Sequence, residues 1–220
     1  MPVLSVATAV YLATQCAPSV APGTLLSIAN TESSLSTLAI HDNTTHQTYH
    51  PDTSKAAEII TAGLLSSGHS VDAGIMQINS SNFASLGVSS ENAFDPCVSM
   101  RAGAALLTQA YLRCRSDGAD EQGCIRQAAS SYNTGNIVAG FYNGYVHRVE
   151  LSARFVVPEI HVAGGPLPDA PPATASPVVP ACPAIGSDDG WHTEATDPGC
   201  NRPDTMPGHV SSNTAEGIHQ

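Results

Sequence analysis

A change in composition three quarters of the way along the chain divides it into two unequal parts. Residues 163–220 hold ten of the sixteen prolines and seven acidic residues against one basic residue, Arg202, with Trp191 as their one aromatic side chain. Such a segment cannot bury enough apolar surface to offset the entropy that its chain loses on folding. We therefore predict a folded domain over 1–160 and a Pro-rich, acidic, mostly disordered tail over 161–220.

The charge and hydropathy of the chain limit its partners. The formal net charge of −11 argues against nucleic acid and against an anionic membrane surface as partners. No stretch approaches the roughly 20 consecutive apolar residues that a membrane-spanning helix needs. Residues Met1 to Val10 are apolar, but no lysine or arginine precedes them, so no signal peptide is recognisable. These features predict neither a nucleic-acid partner nor a membrane span.

The cysteines indicate the redox compartment. Their spacing contains no CxxC and no suitably placed histidine pair, so it does not fit a zinc site. Their even number favours a disulfide framework over the alternative, which is a set of buried free thiols. Disulfides require an oxidising compartment, so we expect the periplasm. The six cysteines stand at positions 16, 97, 114, 124, 182 and 200.

The spacing of the cysteines also suggests how they pair. The sequence Ser116-Asp117-Gly118 breaks a helix between two cysteines that are ten residues apart, which lets them approach each other. The predicted pairs are therefore Cys114 with Cys124, Cys16 with Cys97 over a long range, and Cys182 with Cys200 inside the tail.

The sequence of the first 160 residues predicts a mainly helical structure. Apolar residues recur at helical spacing, Pro22 suits the first turn of a helix, and Gly68 and Gly135 stand where helices are expected to end. The polar stretch 41–52 predicts a loop or a small hairpin, and other signals for strands are sparse. The predicted helices are 22–35, 54–67, 95–115, 121–132 and 145–156.

Glu32 is an acidic residue on an apolar helix face. Leu25, Ile28 and Ala29 precede it by seven, four and three residues, so all four side chains share one face. Burial of a carboxylate is costly unless it is paired or protonated, and it raises the pKa of the group. A carboxyl with a raised pKa can protonate a leaving oxygen near neutral pH. The alternative is a structural carboxylate bonded to backbone amides or to Arg148.

Two polar motifs follow along the chain. The first motif is the run Gly74-Ile75-Met76-Gln77-Ile78-Asn79. Its first residue is a glycine, which lets the backbone approach a ligand closely. The side-chain amides of Gln77 and Asn79 can hydrogen-bond to the hydroxyl and acetamido groups of a ligand. The run Tyr132-Asn133-Thr134-Gly135-Asn136 offers an aromatic ring and a hydroxyl to a sugar. Taken alone, the first run is more typical of an edge strand with a polar end, and the second is equally typical of a plain helix C-terminus.

In their order and spacing, these motifs resemble the soluble lytic transglycosylase domain. The resemblance consists of Glu32-Ser33 on an N-terminal helix, then the GIMQIN run, then the YNTGN run. The sequence Cys16-Ala17-Pro18, which precedes that helix, narrows the resemblance to the branch of this family that is associated with type IV secretion and conjugation. The sequence GYVHRV, residues 144–149, is similar to the element that closes the domain. The resemblance covers roughly residues 8–156 and leaves out the tail.

The resemblance implies a mainly α, lysozyme-like α+β fold, with two helical lobes, a small hairpin region and a substrate cleft between the lobes. Glu32 matches the catalytic acid/base, and Ser33 matches a serine that packs the helix. Tyr132 matches the tyrosine that hydrogen-bonds near the catalytic carboxyl, and Asn133 supports its loop. No metal or other cofactor is implied. The expected substrate-binding residues are Gln77, Ile78, Asn79, Tyr132, Asn133 and Tyr145.

The implied reaction is cleavage of the β-1,4 bond between N-acetylmuramic acid and N-acetylglucosamine in peptidoglycan, leaving 1,6-anhydro ends. It would open the cell wall locally for a secretion or conjugation apparatus. The alternative function is a lysozyme-type hydrolase, and it depends on Asp72. This residue stands five positions before Gln77 and could orient a water molecule for attack on the glycosidic bond. The other interpretation of Asp72 is a turn cap.

A third interpretation is a non-catalytic assembly factor that binds the wall and recruits secretion-system subunits through its acidic tail. Tail binding is also compatible with catalysis. The negative net charge gives no long-range attraction to the carboxylate-bearing peptides of a cell wall, so wall binding has to come from a local cleft. His41, His46 and His50 form a small cluster, but their spacing fits no known zinc motif, and we predict no metal site there.

Overall fold

The computed structural model describes residues 2–162. They form a helical domain with a small antiparallel sheet at one side, which confirms the predicted mainly α, lysozyme-like fold class. The predicted tail, with its Cys182–Cys200 pair, lies outside the described residues. The helices are α1 (Val6–Cys16), α2 (Pro22–Ser33), α3 (Ser54–Ser66), α4 (Phe83–Leu86), α5 (Pro96–Ser116), α6 (Glu121–Thr134), α7 (Ala139–Tyr142) and α8 (Tyr145–Val162), with a 3-10 turn at Ser80–Asn82. The strands are β1 (Ile40–Asp42), β2 (Gln47–Tyr49), β3 (Val71–Ala73) and β4 (Ile78–Asn79).

Helix α2 lies at the centre of the helical part, where it packs against α1, α5 and α8. Leu25, Ile28 and Ala29 are fully buried, as the apolar pattern predicts. The helix ends two residues earlier than expected, at Ser33, because Ser34 adopts the left-handed conformation with a φ of 52°. Glu32 is thereby placed in the last turn of a rigid, buried helix.

Helix α1 was not predicted, although its sequence is apolar. The side chain of Ser5 caps it by accepting a hydrogen bond from the backbone N–H of Thr8. Ala9 and Ala13 on this helix are fully buried against the rest of the core. The apolar start of the sequence therefore contributes to the packed interior of the domain.

The sheet has the strand order β2-β1-β3-β4, and all its pairs are antiparallel. The predicted hairpin at 41–52 is confirmed as β1, its turn and β2. Residues alternate along each inner strand, so one face of the sheet is buried and the other is half-buried. The buried face joins the core through Ile40, Val71, Ala73 and Ile78.

A buried acidic residue stabilises the hairpin turn. The side chain of Asp42 is fully buried and accepts hydrogen bonds from the hydroxyl of Thr45 at 2.6 Å and the backbone N–H of Thr44 at 2.9 Å, while Nδ1 of His69 lies 2.8 Å away. Burial alone would raise the pKa of Asp42, but these bonds hold it well below its ordinary value. Asp42 is therefore a structural carboxylate.

Two disulfides join the helices. Cys16 at the end of α1 bonds to Cys97 at the start of α5, and Cys114 bonds to Cys124 across the turn between α5 and α6. Their Cα atoms are 5.2 and 5.4 Å apart. Both predicted pairs in the domain are confirmed.

Helix α8 is longer than predicted, since it continues past Pro158 to Val162. The buried residues Ser152, Val156 and Ile160 recur every four positions along it, so packing against the core extends beyond the proline. None of the helices among residues 2–162 is both long and apolar enough to cross a membrane.

Candidate active site

Glu32 lies in the last turn of α2, beside the loop that joins β3 to β4. Its Oε1 accepts a hydrogen bond of 2.5 Å from the hydroxyl of Tyr145. Tyr145 is the first residue of α8 and is only 2% exposed. The bond to the carboxyl thus comes from a tyrosine, and not from the backbone amides or Arg148 that were the alternative partners.

The surroundings of Glu32 favour its protonated form. Burial raises the pKa of Glu32 from 4.5 to about 7. The hydroxyl of Tyr145 opposes this shift because it stabilises the ionised form, whereas the negative charge of Asp72 adds to it and Arg148 opposes it. Near neutral pH the carboxyl is present in both forms, and such a group can both donate and accept a proton during a reaction.

The loop before α8 fixes Tyr145. The backbone N–H of Tyr145 donates to Oδ1 of Asn143 at 2.9 Å, and the side chain of Asn143 donates to Oδ1 of Asn133 at 2.9 Å. The guanidinium of Arg148 lies 5.6 Å from the centre of the Tyr145 ring and donates to the carbonyl of Asn143 at 3.1 Å. Burial and the nearby Glu32 raise the pKa of Tyr145 far above its ordinary value, so the hydroxyl stays protonated and acts as a donor.

The GIMQ loop, residues 74–77, forms the wall of the site beside Glu32. Ser33, directly after the acid, holds this loop against α2, which agrees with the packing role expected for that serine. Two further helices, α5 and α6, hold the loop from other sides, so it is fixed at three points. The three bonds run from Ser33 Oγ to the carbonyl of Ile75 at 2.8 Å, from the N–H of Met76 to Ser99 Oγ at 3.2 Å, and from the hydroxyl of Tyr132 to the carbonyl of Met76 at 2.6 Å.

The backbone of the GIMQ loop is sharply turned at both ends. Gly74 has a φ of 78°, and a Cβ there would lie 2.3 Å from the carbonyl oxygen of Ala93, so only glycine fits. Gln77 has a φ of 45° and donates through Nε2 to the carbonyls of Gly74 at 2.8 Å and Ala39 at 3.0 Å. The amide nitrogen of Gln77 therefore holds the loop together, and its proposed contact with a substrate rests on the amide oxygen.

Tyr132 was expected to hydrogen-bond near the catalytic carboxyl, and its bond runs to the GIMQ loop beside Glu32 and not to the carboxyl itself. It lies close enough to Glu32 and Asp72 for their charges to add to burial in raising its pKa, but its hydroxyl donates to Met76. The hydroxyl that reaches Glu32 belongs to Tyr145 instead. The reason is that α6 carries Tyr132 to the GIMQ loop, whereas α8, which carries Tyr145, packs along α2.

Strand β4 places its two residues on opposite faces of the sheet. The side chain of Ile78 is 1% exposed and lies in the core, so the expected cleft wall can include only its backbone. Asn79 faces the other way and donates through Nδ2 to Oδ1 of Asp72 at 2.7 Å. Asp72 is thus held beside the site by an amide side chain on the next strand, and it does not cap a turn.

The direct contact of Tyr145 with Glu32 was missed, since the sequence suggested only a wall aromatic. Gly144, with a φ of 71°, marks the start of its helix, but no local pattern indicates which neighbouring helix that start will face. Ser99 was missed as well, because a small polar residue in a mostly apolar helix carries no signal of its own.

The histidine cluster does not converge. His41 lies in β1, His46 in the hairpin turn and His50 after β2. Among residues 2–162, no three His, Cys, Asp or Glu side chains are grouped in a way that could hold a metal ion.

A cavity of about 250 Å³ lies near the first turn of α2 and contains none of the expected site residues. Its lining includes Val20, Thr24, Leu107, Tyr111, Ile125 and Ala128.

Comparison with known proteins identifies the family. The model of the transglycosylase SLT domain matches residues 10–152. Protein virB1 of Agrobacterium fabrum is 45% identical over 148 residues, which cover 67% of this chain and 60% of that protein. Type IV secretion system protein virB1 of Brucella suis biovar 1 is 34% identical over 184 residues, which cover 79% of this chain and 76% of that protein.

The match spans only about 60% of the length of the Agrobacterium relatives. No solved structure matches the chain. The family model nevertheless covers both the helix that carries Glu32 and the start of the helix that carries Tyr145, together with the GIMQ loop between them. The chain therefore belongs to the transglycosylase SLT domain family.

Proposed function

We propose that this chain is a peptidoglycan lytic transglycosylase with Glu32 as its catalytic acid and base. The observation that carries the proposal is a partly buried carboxyl with a pKa of about 7, hydrogen-bonded to a tyrosine that stays protonated. An ordinary surface carboxylate is ionised at neutral pH and has no proton to donate. Glu32 retains a substantial protonated fraction there, as general acid catalysis requires.

In the proposed reaction, protonated Glu32 donates its proton to the glycosidic oxygen between N-acetylmuramic acid and N-acetylglucosamine. The 2-acetamido group of the substrate stabilises the positive charge that develops at C1, so no second carboxylate has to act as nucleophile. The ionised Glu32 then removes the proton from the C6 hydroxyl of the muramic residue, and that oxygen attacks C1. The product has a 1,6-anhydro end, water is not consumed, and Glu32 regains its proton.

Tyr145 supports the first half of this cycle, the donation of the proton by Glu32. Its hydroxyl donates to the carboxyl oxygen of Glu32, and this bond is strongest when Glu32 is ionised. It therefore stabilises the carboxylate that forms after the first proton transfer. The anchored GIMQ loop, with Gln77 and the backbone of Ile78, would line the substrate beside the carboxyl, with Asn79, Tyr132 and Asn133 as supporting contacts.

The relatives suggest where the enzyme works. The Brucella protein is named a type IV secretion system protein, and from this we infer that the chain opens the wall locally for such an apparatus. The two disulfides suit an oxidising compartment, which for a cell-wall enzyme is the periplasm. Recruitment of secretion-system subunits by residues 161–220 stays a prediction, and binding by that segment alone would test it.

A second candidate is a lysozyme-type hydrolase that uses Asp72 beside Glu32. The observation in its favour is that the negative charge of Asp72 is near enough to raise the pKa of Glu32. However, Asn79 already donates to Oδ1 of Asp72, which restrains the carboxylate. A hydrolase would release reducing ends and not anhydro ends.

The experiment that separates these functions is mass analysis of the muropeptides released from purified peptidoglycan. We expect the native chain to release anhydro-muramic products and Glu32→Gln to release none, because glutamine cannot supply the proton. Glu159→Gln, an exposed change on α8, is the matched control and should keep full activity. Reducing-end products would identify the hydrolase, and the absence of product from a folded native chain would contradict both enzymatic functions.

A further inference from the structure

Four polar side chains form a row across the sheet. Thr48 is paired in register with His41, His41 with Asp72, and Asp72 with Asn79. Directly paired residues of antiparallel strands point to the same face, so all four share the face that is turned away from the core. We call these four residues the polar row. His41, Asp72 and Asn79 are half-buried, as expected for the floor of a cleft, whereas Thr48 is exposed.

Hydrogen bonds fix the orientation of the row. Asn79 donates to Asp72 at 2.7 Å, and Nδ1 of His41 lies 3.0 Å from the hydroxyl oxygen of Thr48. Within residues 2–162, no hydrogen bond reaches the other ring nitrogen of His41, Nε2. His41 is therefore held in place from one side and presents an unused polar nitrogen on the other.

The row passes directly beside the catalytic carboxyl. Asp72, the third member of the row, stands two residues before the GIMQ loop that Ser33 holds against α2, and its negative charge acts on both Glu32 and Tyr132. Neighbouring strands in a sheet are about 4.8 Å apart, so His41 lies one such step beyond Asp72 and Thr48 lies two. A glycan strand that lies along the row with one bond at Glu32 would place the adjoining sugar over His41.

We propose that His41 is a specificity-determining residue that binds the sugar next to the cleaved bond through Nε2. The group that it binds is neutral, a hydroxyl or an acetamido group, because a carboxylate of the substrate would be repelled by Asp72 directly beside it. An imidazole suits either group, since each ring nitrogen can donate or accept according to its protonation. The inference rests on the proposed function for the identity of the glycan.

The test measures binding separately from catalysis, using the full chain with Glu32→Gln as background. The probe is a soluble peptide-free glycan of alternating N-acetylglucosamine and N-acetylmuramic acid, and its Kd is measured by calorimetry. Adding His41→Phe, which keeps a ring but removes both nitrogens, should weaken binding about tenfold, as expected for the loss of one hydrogen bond. His41→Gln, whose amide reaches the position of Nε2, should restore most of the affinity.

His46→Asn is the matched control, because it removes a histidine of the same hairpin outside the row. His46 has a φ of 58°, a conformation that asparagine tolerates, so this change should leave both the Kd and the Tm unaltered. In the otherwise native chain, His41→Phe should raise KM about tenfold and change kcat by less than a factor of two or so.

Four results would overturn the proposal: an unchanged Kd in His41→Phe, an equal loss in His46→Asn, no glycan binding to the background chain, or a loss seen only with peptide-bearing glycan. In the last case His41 would bind the peptide and not the sugar. The proposed reaction is tested separately from the proposed sugar site. If the native chain forms no anhydro product but binding still depends on His41, the sugar site stands and the reaction does not.

Discussion

At the scale of single residues, two opposing effects set the chemistry of Glu32. Burial favours the protonated carboxyl, and the hydroxyl of Tyr145 favours the ionised one. Burial outweighs the hydrogen bond, so the pKa settles at about 7, well above the 4.5 of a free glutamate. A shift of this size corresponds to roughly 3 kcal/mol between the two protonation states, which the fold sustains by packing α2 and α8 around the carboxyl.

Tyr145→Phe should move the pH dependence of kcat/KM. In the native chain the proton donor is lost as pH rises through about 7, so activity should fall above that pH. Because the hydroxyl of Tyr145 lowers the pKa of Glu32, its removal should raise this pKa and move the falling limb to higher pH. The maximum rate should drop roughly tenfold or more, since the ionised Glu32 loses a charge-assisted hydrogen bond.

A pH series of kcat/KM, measured on solubilised peptidoglycan, checks this prediction. Tyr11→Phe is the control, because Tyr11 is 66% exposed on α1 and lies outside the site. A falling limb that stays in place in Tyr145→Phe, or that moves to lower pH, would show that Tyr145 does not act on the proton of Glu32.

At the scale of elements, the GIMQ loop is positioned by bonds from three helices that are far apart in the sequence. Ser33 on α2, Ser99 on α5 and Tyr132 on α6 each bond to its backbone. These three bonds all go to the backbone of the loop, and Gly74 is the residue on which the path of that backbone depends. The wall beside Glu32 is consequently preformed and does not have to be ordered by substrate.

Gly74→Ala should destabilise the fold and reduce activity together. The new Cβ would meet the carbonyl oxygen of Ala93 at 2.3 Å, and the φ of 78° is itself unfavourable for alanine. We expect a loss of roughly 2–5 kcal/mol in the free energy of unfolding, measured by denaturant titration. Gly87→Ala is the matched control, with a φ of 65° but no atom within 4 Å of the new Cβ, and should lose only about 1 kcal/mol. Equal losses in the two variants would mean that the close approach at Gly74 is unimportant.

At the scale of the whole molecule, the disulfides connect parts of the chain that pack together but are distant in sequence. The Cys16–Cys97 bond closes a separation of 81 residues and ties α1 to α5, whereas Cys114–Cys124 closes a separation of 10 residues within one helix hairpin. In the chain-entropy account, a crosslink stabilises the fold more when it closes a longer loop. The long bond should therefore matter more for the domain as a unit.

Replacement of each cysteine pair by alanine tests this difference. The loop-entropy estimate is roughly 4–5 kcal/mol for Cys16–Cys97 and roughly 3 kcal/mol for Cys114–Cys124. Thermal unfolding should thus show a lower Tm for the Cys16→Ala/Cys97→Ala variant than for the Cys114→Ala/Cys124→Ala variant. The opposite order would indicate that local packing around Cys114, and not loop length, dominates.

Local sequence patterns determined a large part of the fold of this protein. The buried face of α2, the hairpin at 41–52 and the Cys114–Cys124 pair were predicted correctly, because helical periodicity, turn residues and the spacing of near cysteines act over short stretches of chain. Glu32 was singled out for the same reason, as a carboxylate on an otherwise apolar helix face. The family motifs added the expected roles of Ser33 and the GIMQ loop.

The tertiary structure alone decided which groups meet. Tyr145 reaches Glu32 across 113 positions of sequence, while Tyr132 turns to the GIMQ loop. The register of the strands determines that the side chain of Ile78 faces the core and that His41 lies in the polar row. This register depends on pairing between strands that are distant in the sequence. No short pattern records such contacts, since they arise from how helices and strands pack against one another.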